Sequence, residues 1–406
     1  MTSKPLQWLT IVGIGEEGLK GLRPETLRAV NDAEVLVGGT RLLSKVKNSK
    51  AEKIGWGKNF DHGVDAISQH TGRRVVVLAS GDPMHYGAGS KLVQRFGIEA
   101  MTIIPTPGAF SLAAARLGWS LPDVECITVH GRPIETVNLY LSPNAKLLIL
   151  SWDGTTPSKL AALLIAKGYS ESDITVLEQM NSERENRINN TAAKWETEKC
   201  EALNTIAVEC LAGPGAAIWS RAPGLPETAF QHDNMITKRE VRAATLAALS
   251  PLPGETLWDI GAGSGAIAIE WRRRVPTARA IAVESNEDRV QSIRTNALNL
   301  GVPSLEIVNG HAPRVFFGIA GSPDAIFVGG GISNDALMHA CWDRLATGGR
   351  LIANAVTLQA QRSLLNFHEK WGGETTKLSI ARENRVGRFS SLRPLMEVWQ
   401  LRVVKK

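Results

Sequence analysis

The sequence predicts an α/β protein of two domains, and three observations carry this prediction. Short apolar or β-branched runs alternate with helical patterns along the chain. For example, the β-branched run at residues 74–79 is followed by a helical pattern at residues 89–96. At 406 residues the chain is too long for one ordinary hydrophobic core. A stretch punctuated by glycine and proline, residues 213–234, interrupts the alternation. It predicts a linker between domains at residues 1–212 and 235–406.

The composition is that of an ordinary folded protein and predicts a cytoplasmic location. Hydrophobic residues make up 43% and charged residues 21% of the chain, as in soluble globular proteins. No apolar run approaches the ~20 residues of a membrane span, and residues 1–8, MTSKPLQW, lack the apolar core of a signal peptide. The eight histidines are scattered, so no metal site is predicted. Buried thiols, not disulfides or zinc ligands, are expected at the widely spaced Cys126, Cys200, Cys210 and Cys341.

The basic charge admits three interpretations. A formal net charge of +6 and a pI near 9.2 are compatible with a solvated basic surface, with nucleic-acid binding, or with a polyanionic small substrate. Basic residues are not interleaved with aromatic ones in any clear patch, which argues against nucleic acid. The tail is rich in arginines, whose planar groups can bind several carboxylates bidentately. These are Arg382, Arg385, Arg388, Arg393 and Arg402.

In the first domain, turns rich in glycine and proline follow successive predicted strands. The turns lie at residues 13–18, 80–87 and 106–111. A helix is predicted to begin at Pro24, because proline is favoured in the first helical turn. The predicted strands are residues 8–12, 35–37, 74–79, 101–105, 127–129, 146–152, 174–178 and 205–209.

In the second domain, the alternation of strands and helices ends with two strand-like runs in succession. A first helix runs to Leu249, and Thr237 with Glu240 three residues later predicts a capping box at its start. Strands are predicted at residues 256–260, 278–283, 305–308, 325–328 and 350–356, with helices between them. The last two strand-like runs, residues 375–382 and 395–403, have no helix between them. We therefore predict an antiparallel closing pair, which is typical of class I Rossmann-like methyltransferases and not of dehydrogenases.

The most informative turn follows the first strand of this domain. Gly261, Gly263 and Gly265 let backbone amides approach a ligand, and the next helix points its N-terminus at the same place. Glu284 ends the following strand, where an acid can accept hydrogen bonds from a ribose diol. The pattern also matches the dinucleotide motif G-x-G-x-x-A, but Asp259 favours S-adenosyl-L-methionine, because an acid pairs with its cationic end and repels a pyrophosphate. A glycine-rich turn that binds no ligand is the alternative.

With both halves considered, the chain resembles the fused, decarboxylating precorrin-6Y C5,15-methyltransferase family of cobalamin biosynthesis over nearly its whole length. The N-terminal half resembles tetrapyrrole methylases at residues 12–15 and at Ser80-Gly81-Asp82-Pro83 with Tyr86-Gly87, together with Pro107-Gly108 and Ser111. These motifs alone are shared with diphthine and ribosomal-RNA methylases. The C-terminal half resembles the C15-methylating, decarboxylating subunit at residues 235–242, MITKREVR, and at residues 258–265. The MITKREVR block is far more specific than the motifs of the N-terminal half.

The resemblance implies a tetrapyrrole methylase-type (class III) α/β domain followed by the class I domain, each with one S-adenosyl-L-methionine site. It implies methylation of a precorrin at C5 and C15 with loss of the C12 acetate carboxyl, the step from precorrin-6 to precorrin-8. It also implies a homo-oligomer, since relatives of the two halves form tetramers and dimers. The implied cofactor residues are Thr237, Gly261, Gly263, Gly265, Glu284 and Ala312 in the second domain, and Gly13, Gly15, Gly81, Asp82, Pro83 and Pro107 in the first. His311 departs from the family, which often carries an acid at this position.

Five further residues are candidates for the substrate pocket. Lys238, Arg239 and Arg242 adjoin the cofactor turn and, with the tail arginines, are candidates to clamp substrate carboxylates; a solvated surface is the alternative. Asn354 and Thr357 follow a late strand and are candidates to line the pocket, with ordinary turn chemistry as the alternative.

Three other functions stay open at this stage. The basic pI permits an RNA methyltransferase. Asp259 and Glu284 argue only for cofactor binding, so the second is a non-catalytic protein that responds to S-adenosyl-L-methionine. A dehydrogenase is the third, and binding of reduced nicotinamide would identify it. We favour a small-molecule tetrapyrrole as the partner, without nucleic acid or membrane.

Overall fold

The computed structural model describes residues 7–57 and 60–406. Residues 1–6, which belong to the predicted first domain and to the stretch considered for a signal peptide, lie outside the described residues. The chain forms two compact units. Unit 1 contains the described residues up to Ile134 and Pro143–Ala216, and unit 2 contains Glu135–Ser142 and Ala217–Lys406. Residues 135–142 therefore group with unit 2, although they precede the predicted linker.

Unit 1 begins with a fully parallel five-stranded sheet in the order β3-β2-β4-β1-β5. Alternate side chains of its strands pack into two apolar clusters, as Ile11 and Val77 do in one and Val12 and Leu78 in the other. The sheet is thus buried on both faces, as parallel sheets require. Its strands are β1 (Leu9–Ile14), β2 (Val35–Gly38), β3 (Glu52–Gly55), β4 (Val75–Ser80) and β5 (Met101–Ile104), and its helices are α1 (Pro24–Asn31), α2 (Thr40–Leu43), α3 (Phe60–Ser68) and α4 (Gly89–Phe96).

The second sheet of unit 1 is mixed, with the order β6-β7-β10-β8-β9. Strands β6 and β7 are parallel, and the other neighbours are antiparallel. The elements are α5 (Ala109–Leu117), β6 (Glu125–Thr128), β7 (Lys146–Leu150), α6 (Thr156–Ala166), β8 (Asp173–Glu178), β9 (Asn186–Thr191) and β10 (Asn204–Glu209). The sequence did not predict β3 or β9, because each is a largely exposed edge strand without an apolar run.

Unit 2 contains a seven-stranded sheet in the order β13-β12-β11-β14-β15-β19-β16. The first five strands are parallel, and β19 runs antiparallel to both β15 and β16. This arrangement confirms the α/β class and the predicted antiparallel closing pair. The strands are β11 (Thr256–Ile260), β12 (Arg279–Glu284), β13 (Glu306–Asn309), β14 (Ala325–Val328), β15 (Arg350–Ala355), β16 (Glu374–Leu378) and β19 (Val398–Val404).

The helices of unit 2 are α7 (Arg239–Leu249), α8 (Ala266–Arg274), α9 (Glu287–Asn299), α10 (Asp335–Arg344) and α11 (Leu358–Trp371). Between β16 and β19 the chain forms a separate exposed hairpin, β17 (Ala381–Val386) and β18 (Phe389–Pro394). Neither this hairpin nor α11 was predicted.

The predicted capping box at the start of α7 is wrong. The N-cap residue is Lys238, and no side chain from the cap position bonds the helix. The backbone N–H of Arg239 instead donates to Glu227 Oε1 at 3.1 Å. A carboxylate distant in sequence therefore satisfies one of the free amides that every helix start leaves.

Within residues 7–57 and 60–406, no helix is both long and apolar enough to span a bilayer. In the same described part, no three His, Cys, Asp or Glu side chains are grouped so that they could hold a metal ion. The four cysteines form no disulfide: Cys200, Cys210 and Cys341 are buried, as predicted, and Cys126 is half-buried.

Candidate active sites

The glycine turn of unit 2 follows β11 and leads directly into α8. Gly261, Gly263 and Gly265 have φ values of 69°, 59° and 76°, a region that favours glycine. A Cβ on Gly265 would lie 2.8 Å from Ile293 Cγ2, so this glycine lets α9 pack closely. A Cβ on Gly261 or Gly263 would meet nothing nearer than 3.5 Å. At these two positions, near the N-terminus of α8, neighbouring residues therefore come no nearer than ordinary van der Waals contact.

Asp259 lies beneath this turn and is only 1% exposed. Its Oδ2 accepts a hydrogen bond from the backbone N–H of Ala268 at 3.0 Å, which fixes the first turn of α8. Its Oδ1 is buried without a hydrogen-bond partner among the described residues. Burial raises the pKa of Asp259 to about 7, and the charge of Glu284 acts in the same direction. A cation beside Oδ1 would satisfy this oxygen and favour the ionised carboxylate.

Glu284 ends β12 and is 6% exposed. Its Oε2 accepts from the N–H of Gly263 at 2.8 Å, and its Oε1 accepts from the N–H groups of Ser285 and Asn286 at 2.9 and 3.0 Å. The carboxylate thus supports the glycine turn from below. An ionised carboxylate has about four acceptor positions, so one is left for a further donor such as a hydroxyl.

The other predicted cofactor residues of unit 2 lie around the same turn. Thr237 is half-buried in the segment next to Met235, whose carbonyl would be 3.5 Å from a Cβ on Gly263. Ala312 follows β13 and packs against the apolar cluster under the sheet edge, while His311 is exposed. Since β11, β12 and β13 are neighbouring parallel strands, their carboxyl ends bring these residues to one edge.

Arg242 cannot act as a substrate clamp, so that prediction is wrong. The side chain is fully buried, and its Nε donates to Glu270 Oε1 at 2.6 Å. Its other nitrogens donate to the carbonyls of Thr237 and Leu225. Arg242 therefore organises the segment before α7 from inside the unit. Arg239 is exposed and Lys238 half-buried, and both remain candidates to bind carboxylates.

Asn354 and Thr357 have structural partners. Asn354 Nδ2 donates to Thr245 Oγ1 at 2.9 Å, and its Oδ1 accepts from Gln400 Nε2 at 2.9 Å. This network joins α7, β15 and β19. Thr357 is the N-cap of α11, and its side chain accepts from the N–H of Ala360. These contacts account for both polar side chains without a ligand.

The tail arginines do not gather at one place. Arg382 bridges Glu227 and Glu240 at 2.8 and 2.5 Å. Burial acts to raise the pKa of Glu227, but hydrogen bonds from Arg382 and the backbone lower it to about 2. Arg402 bonds the carbonyl of Ala248. The remaining three, Arg385, Arg388 and Arg393, lie exposed on the hairpin β17–β18.

The candidate site of unit 1 lies at the carboxyl edge of its parallel sheet. Strands β4, β1 and β5 are neighbours, so the turns that follow them converge. A Cβ on Gly13 would lie 2.1 Å from the carbonyl oxygen of Gly81 and 2.8 Å from the backbone nitrogen of Thr106. Only glycine at position 13 permits so close an approach of the three backbones. The sequence motifs that lie far apart in the chain thus meet here.

A cleft that is open to solvent lies beside these turns. Of the six residues predicted to bind the cofactor in this unit, Gly15, Gly81 and Pro107 line it. Gly13, Asp82 and Pro83 are not among its lining residues; Asp82 Oδ1 accepts from the N–H of Met84 at 2.8 Å and so shapes the loop.

The opposite wall of the cleft comes from the second sheet and was missed from the sequence. It includes Gln179, Met180 and Asn204. Gln179 is buried and has a φ of 45°, which is unusual for a residue with a side chain. Because these residues follow or begin ordinary strands, no local motif marks them.

Comparison with known proteins matches both halves of the chain. A model of tetrapyrrole (corrin/porphyrin) methylases matches residues 8–196, and a model of the precorrin methyltransferase domain matches residues 228–405. A precorrin-6Y C(5,15)-methyltransferase (decarboxylating) of Sinorhizobium sp is 43% identical over 394 residues, covering 97% of this chain and 95% of that protein. A protein of the same name from Mycobacterium tuberculosis (strain ATCC 25618 / H37Rv) is 38% identical over 403 residues, covering 98% of this chain and all of its own length.

Among solved structures, the C-terminal domain of precorrin-6Y C5,15-methyltransferase from Rhodobacter capsulatus is 39% identical, with a TM-score of 0.44, and covers 46% of this chain and 100% of that chain. Identities of 43% and 38% over 95% and 100% of the two full-chain relatives, with both family models matched along the chain, establish the relationship. The chain is a methyltransferase that belongs to the precorrin-6Y C5,15-methyltransferase (decarboxylating) family.

Proposed function

We propose that this enzyme methylates a precorrin at C5 and C15 and removes the carboxyl of the C12 acetate, the step from precorrin-6 to precorrin-8 in cobalamin biosynthesis. Unit 1 carries out the C5 methylation, and unit 2 the C15 methylation with decarboxylation. The proposed domains, residues 1–212 and 235–406, correspond to unit 1 and unit 2, except that residues 135–142 group with unit 2. The observation that carries the proposal is that each unit holds a glycine turn at the carboxyl edge of a parallel sheet, which lines a cleft in unit 1 and lies over the buried Oδ1 of Asp259 in unit 2.

Each unit binds one S-adenosyl-L-methionine in this proposal. In unit 2 the free Oδ1 of Asp259 meets the cationic amino-acid end, and the spare acceptor position of Glu284 meets a ribose hydroxyl. The residues of this site are Thr237, Asp259, Gly261, Gly263, Gly265, Glu284 and Ala312. The residues of the unit 1 site are Gly13, Gly15, Gly81, Asp82, Pro83 and Pro107, where Asp82 and Pro83 act by shaping the loop.

The bound cofactor supplies an electrophilic methyl group on a sulfonium that is already a good leaving group. The protein mainly has to align the carbon nucleophile with that methyl group and exclude water, so positioning supplies much of the catalysis. A partly reduced tetrapyrrole offers enamine-like meso carbons, whose electron pair forms the new C–C bond and leaves a cationic iminium system. No metal is needed for this step.

Decarboxylation follows from the same electronic change. The electron pair released when the acetate carboxyl leaves as carbon dioxide flows into the iminium system. Tight binding of that carboxylate in the ground state would oppose its loss. Basic residues should therefore hold the other carboxylates and spare the reacting one. Lys238 and Arg239 serve this role in the proposal, because Arg242 is buried on Glu270.

The proposal includes a homo-oligomer in the cytoplasm, with no nucleic-acid partner. The hairpin β17–β18 supports self-association, because Val386, Phe389 and Leu392 on it are 61–70% exposed and exposed apolar patches mark interaction surfaces. The RNA methyltransferase alternative has no support from the family, whose full-length members carry precorrin methyltransferase names.

The function is tested by product analysis with the full-length chain. Incubated without oxygen with a precorrin-6 tetrapyrrole and S-adenosyl-L-methionine, it is expected to give a product two methyl groups heavier and one carbon dioxide lighter. Carbon-13 in the donor methyl should appear at C5 and C15 by NMR. A reaction without the methyl donor is the control, and it should leave the carboxyl in place. Two methylations without decarboxylation would contradict the assignment of unit 2.

A further inference from the structure

A patch of aromatic and cationic side chains lies in unit 1, on segments that are next in the chain to residues lining the cleft. It consists of His85, Tyr86 and Arg132 and is called the Tyr86 patch below. The loop that carries His85 and Tyr86 begins at Gly81, which lines the cleft. Phe110, against which both rings pack, directly follows Ala109, which also lines it. Two of the segments that hold the patch therefore continue from the wall of the proposed cofactor cleft.

Tyr86 is held in an unusual conformation and is nevertheless accessible. Its φ is 56°, in the left-handed region that residues with side chains rarely adopt. Half of the residue's surface is exposed. Its ring stacks on that of His85 at 5.1 Å between centroids, and its hydroxyl donates to the carbonyl of Cys126 at 3.3 Å. These contacts thus fix an exposed aromatic ring in one orientation. Packing alone does not require an exposed ring to be fixed.

Arg132 supplies a positive charge at the same place. Its guanidinium carbon lies 5.6 Å from the centroid of the Tyr86 ring. The side chain is exposed. A guanidinium held over an aromatic ring keeps its planar donors free for a carboxylate. Trp152, 56% exposed at the carboxyl end of the neighbouring strand β7, adds a further aromatic face to this edge of the sheet.

We propose that the Tyr86 patch is the tetrapyrrole-binding surface of unit 1. A conjugated part of the macrocycle stacks on the rings of Tyr86 and His85, and a peripheral carboxylate pairs with Arg132. Stacking and a bidentate ion pair together recognise a ligand that is both flat and acidic. This inference rests on the proposed function and extends it, because it names the residues that bind the substrate of the C5 methylation. These residues bind the macrocycle and take no part in transferring the methyl group.

The test compares variants of the patch in the full-length enzyme. In Arg132→Gln we expect the KM for the tetrapyrrole in C5 methylation to rise about tenfold, with kcat and the KM for the cofactor nearly unchanged. Tyr86→Asn tolerates the left-handed backbone and should fold, but it lacks the stacking ring. We expect it to raise the same KM about tenfold. C15 methylation should be unaffected by both variants.

Lys146→Gln is the matched control. Lys146 lies 5.1 Å from the Trp119 ring in the same unit. It begins β7, whereas Arg132 follows the carboxyl end of the parallel strand β6, so the two cations lie at opposite edges of one sheet. Removing this charge should leave the KM unchanged. An unchanged KM in both patch variants, while C5 methylation proceeds, would overturn the inference.

A second measurement does not depend on turnover. Hydroxyl-radical footprinting in the presence of uroporphyrin, a flat acidic tetrapyrrole, is expected to protect Tyr86 and the exposed Met84 in the original enzyme and not in Arg132→Gln. Protection without any C5 methylation would support the patch and contradict the proposed function. Absence of protection would contradict the patch itself.

Discussion

Replacing Gly13 with alanine is expected to reduce C5 methylation by about a hundredfold or more, because misplacing a reacting group by about 1 Å has an effect of that size. The added Cβ would meet the carbonyl of Gly81 at 2.1 Å and the amide of Thr106 at 2.8 Å. Both are backbone atoms, which cannot rotate away. The turns that carry Gly81 and Pro107 must therefore separate, and both line the cleft.

The same substitution should leave the chemistry of unit 2 intact. Overpacking of this kind costs about 1–3 kcal/mol, so unit 1 is expected to stay folded. C15 methylation and decarboxylation should continue near their original rates. Gly39→Ala is the control, since a Cβ there meets nothing within 4 Å. C5 methylation by Gly13→Ala at the wild-type rate would show that the close approach of the three turns is not needed for this reaction.

Replacing Arg242 with alanine is expected to destabilise unit 2 by about 3–5 kcal/mol, because it leaves the buried carboxylate of Glu270 without its cation. Glu270 is 2% exposed, and among the described residues it would keep hydrogen bonds from the N–H groups of Gly224 and Leu225, at 2.6 and 3.1 Å. The carbonyls of Thr237 and Leu225 would lose their donors as well. For a unit of this size the thermal midpoint should fall by about 6–20 °C.

Arg279→Ala provides the comparison for this prediction. Arg279 forms an ion pair with Glu306 at 3.5 Å, but both side chains are more than half exposed. Solvent screens such a pair, so its loss should cost less than about 1 kcal/mol. Urea unfolding of both variants measures the difference. Equal stability of the two would mean that the buried pair contributes no more than an exposed one.

The sequence was most informative where one local pattern determines the structure. The turn from Trp258 to Gly265 combines an apolar strand, three glycines and a helix start within a few residues, and the structure has each of them. Residues 89–96 form a helix with the predicted bounds. The closing antiparallel strands were also recognisable, because no helical pattern separates them.

The remaining features depend on partners that no local pattern reveals. Arg242 was expected to bind substrate, but it meets Glu270, 28 positions away, in the interior. Thr237 was expected to cap α7, and the helix instead uses Glu227. Gln179 follows an ordinary strand, and only its backbone conformation and its place in the cleft mark it as a candidate. Such pairings become visible only when the chain is folded.

The central claim is that one chain holds two independent S-adenosyl-L-methionine sites, and calorimetric titration of the full-length protein tests it most directly. We expect two molecules bound per chain in the original enzyme. Gly13→Ala should bind only the molecule of unit 2, and Asp259→Asn only the molecule of unit 1, because each variant disturbs a different unit. A single molecule bound by the original enzyme, or loss of both by either variant, would contradict the account.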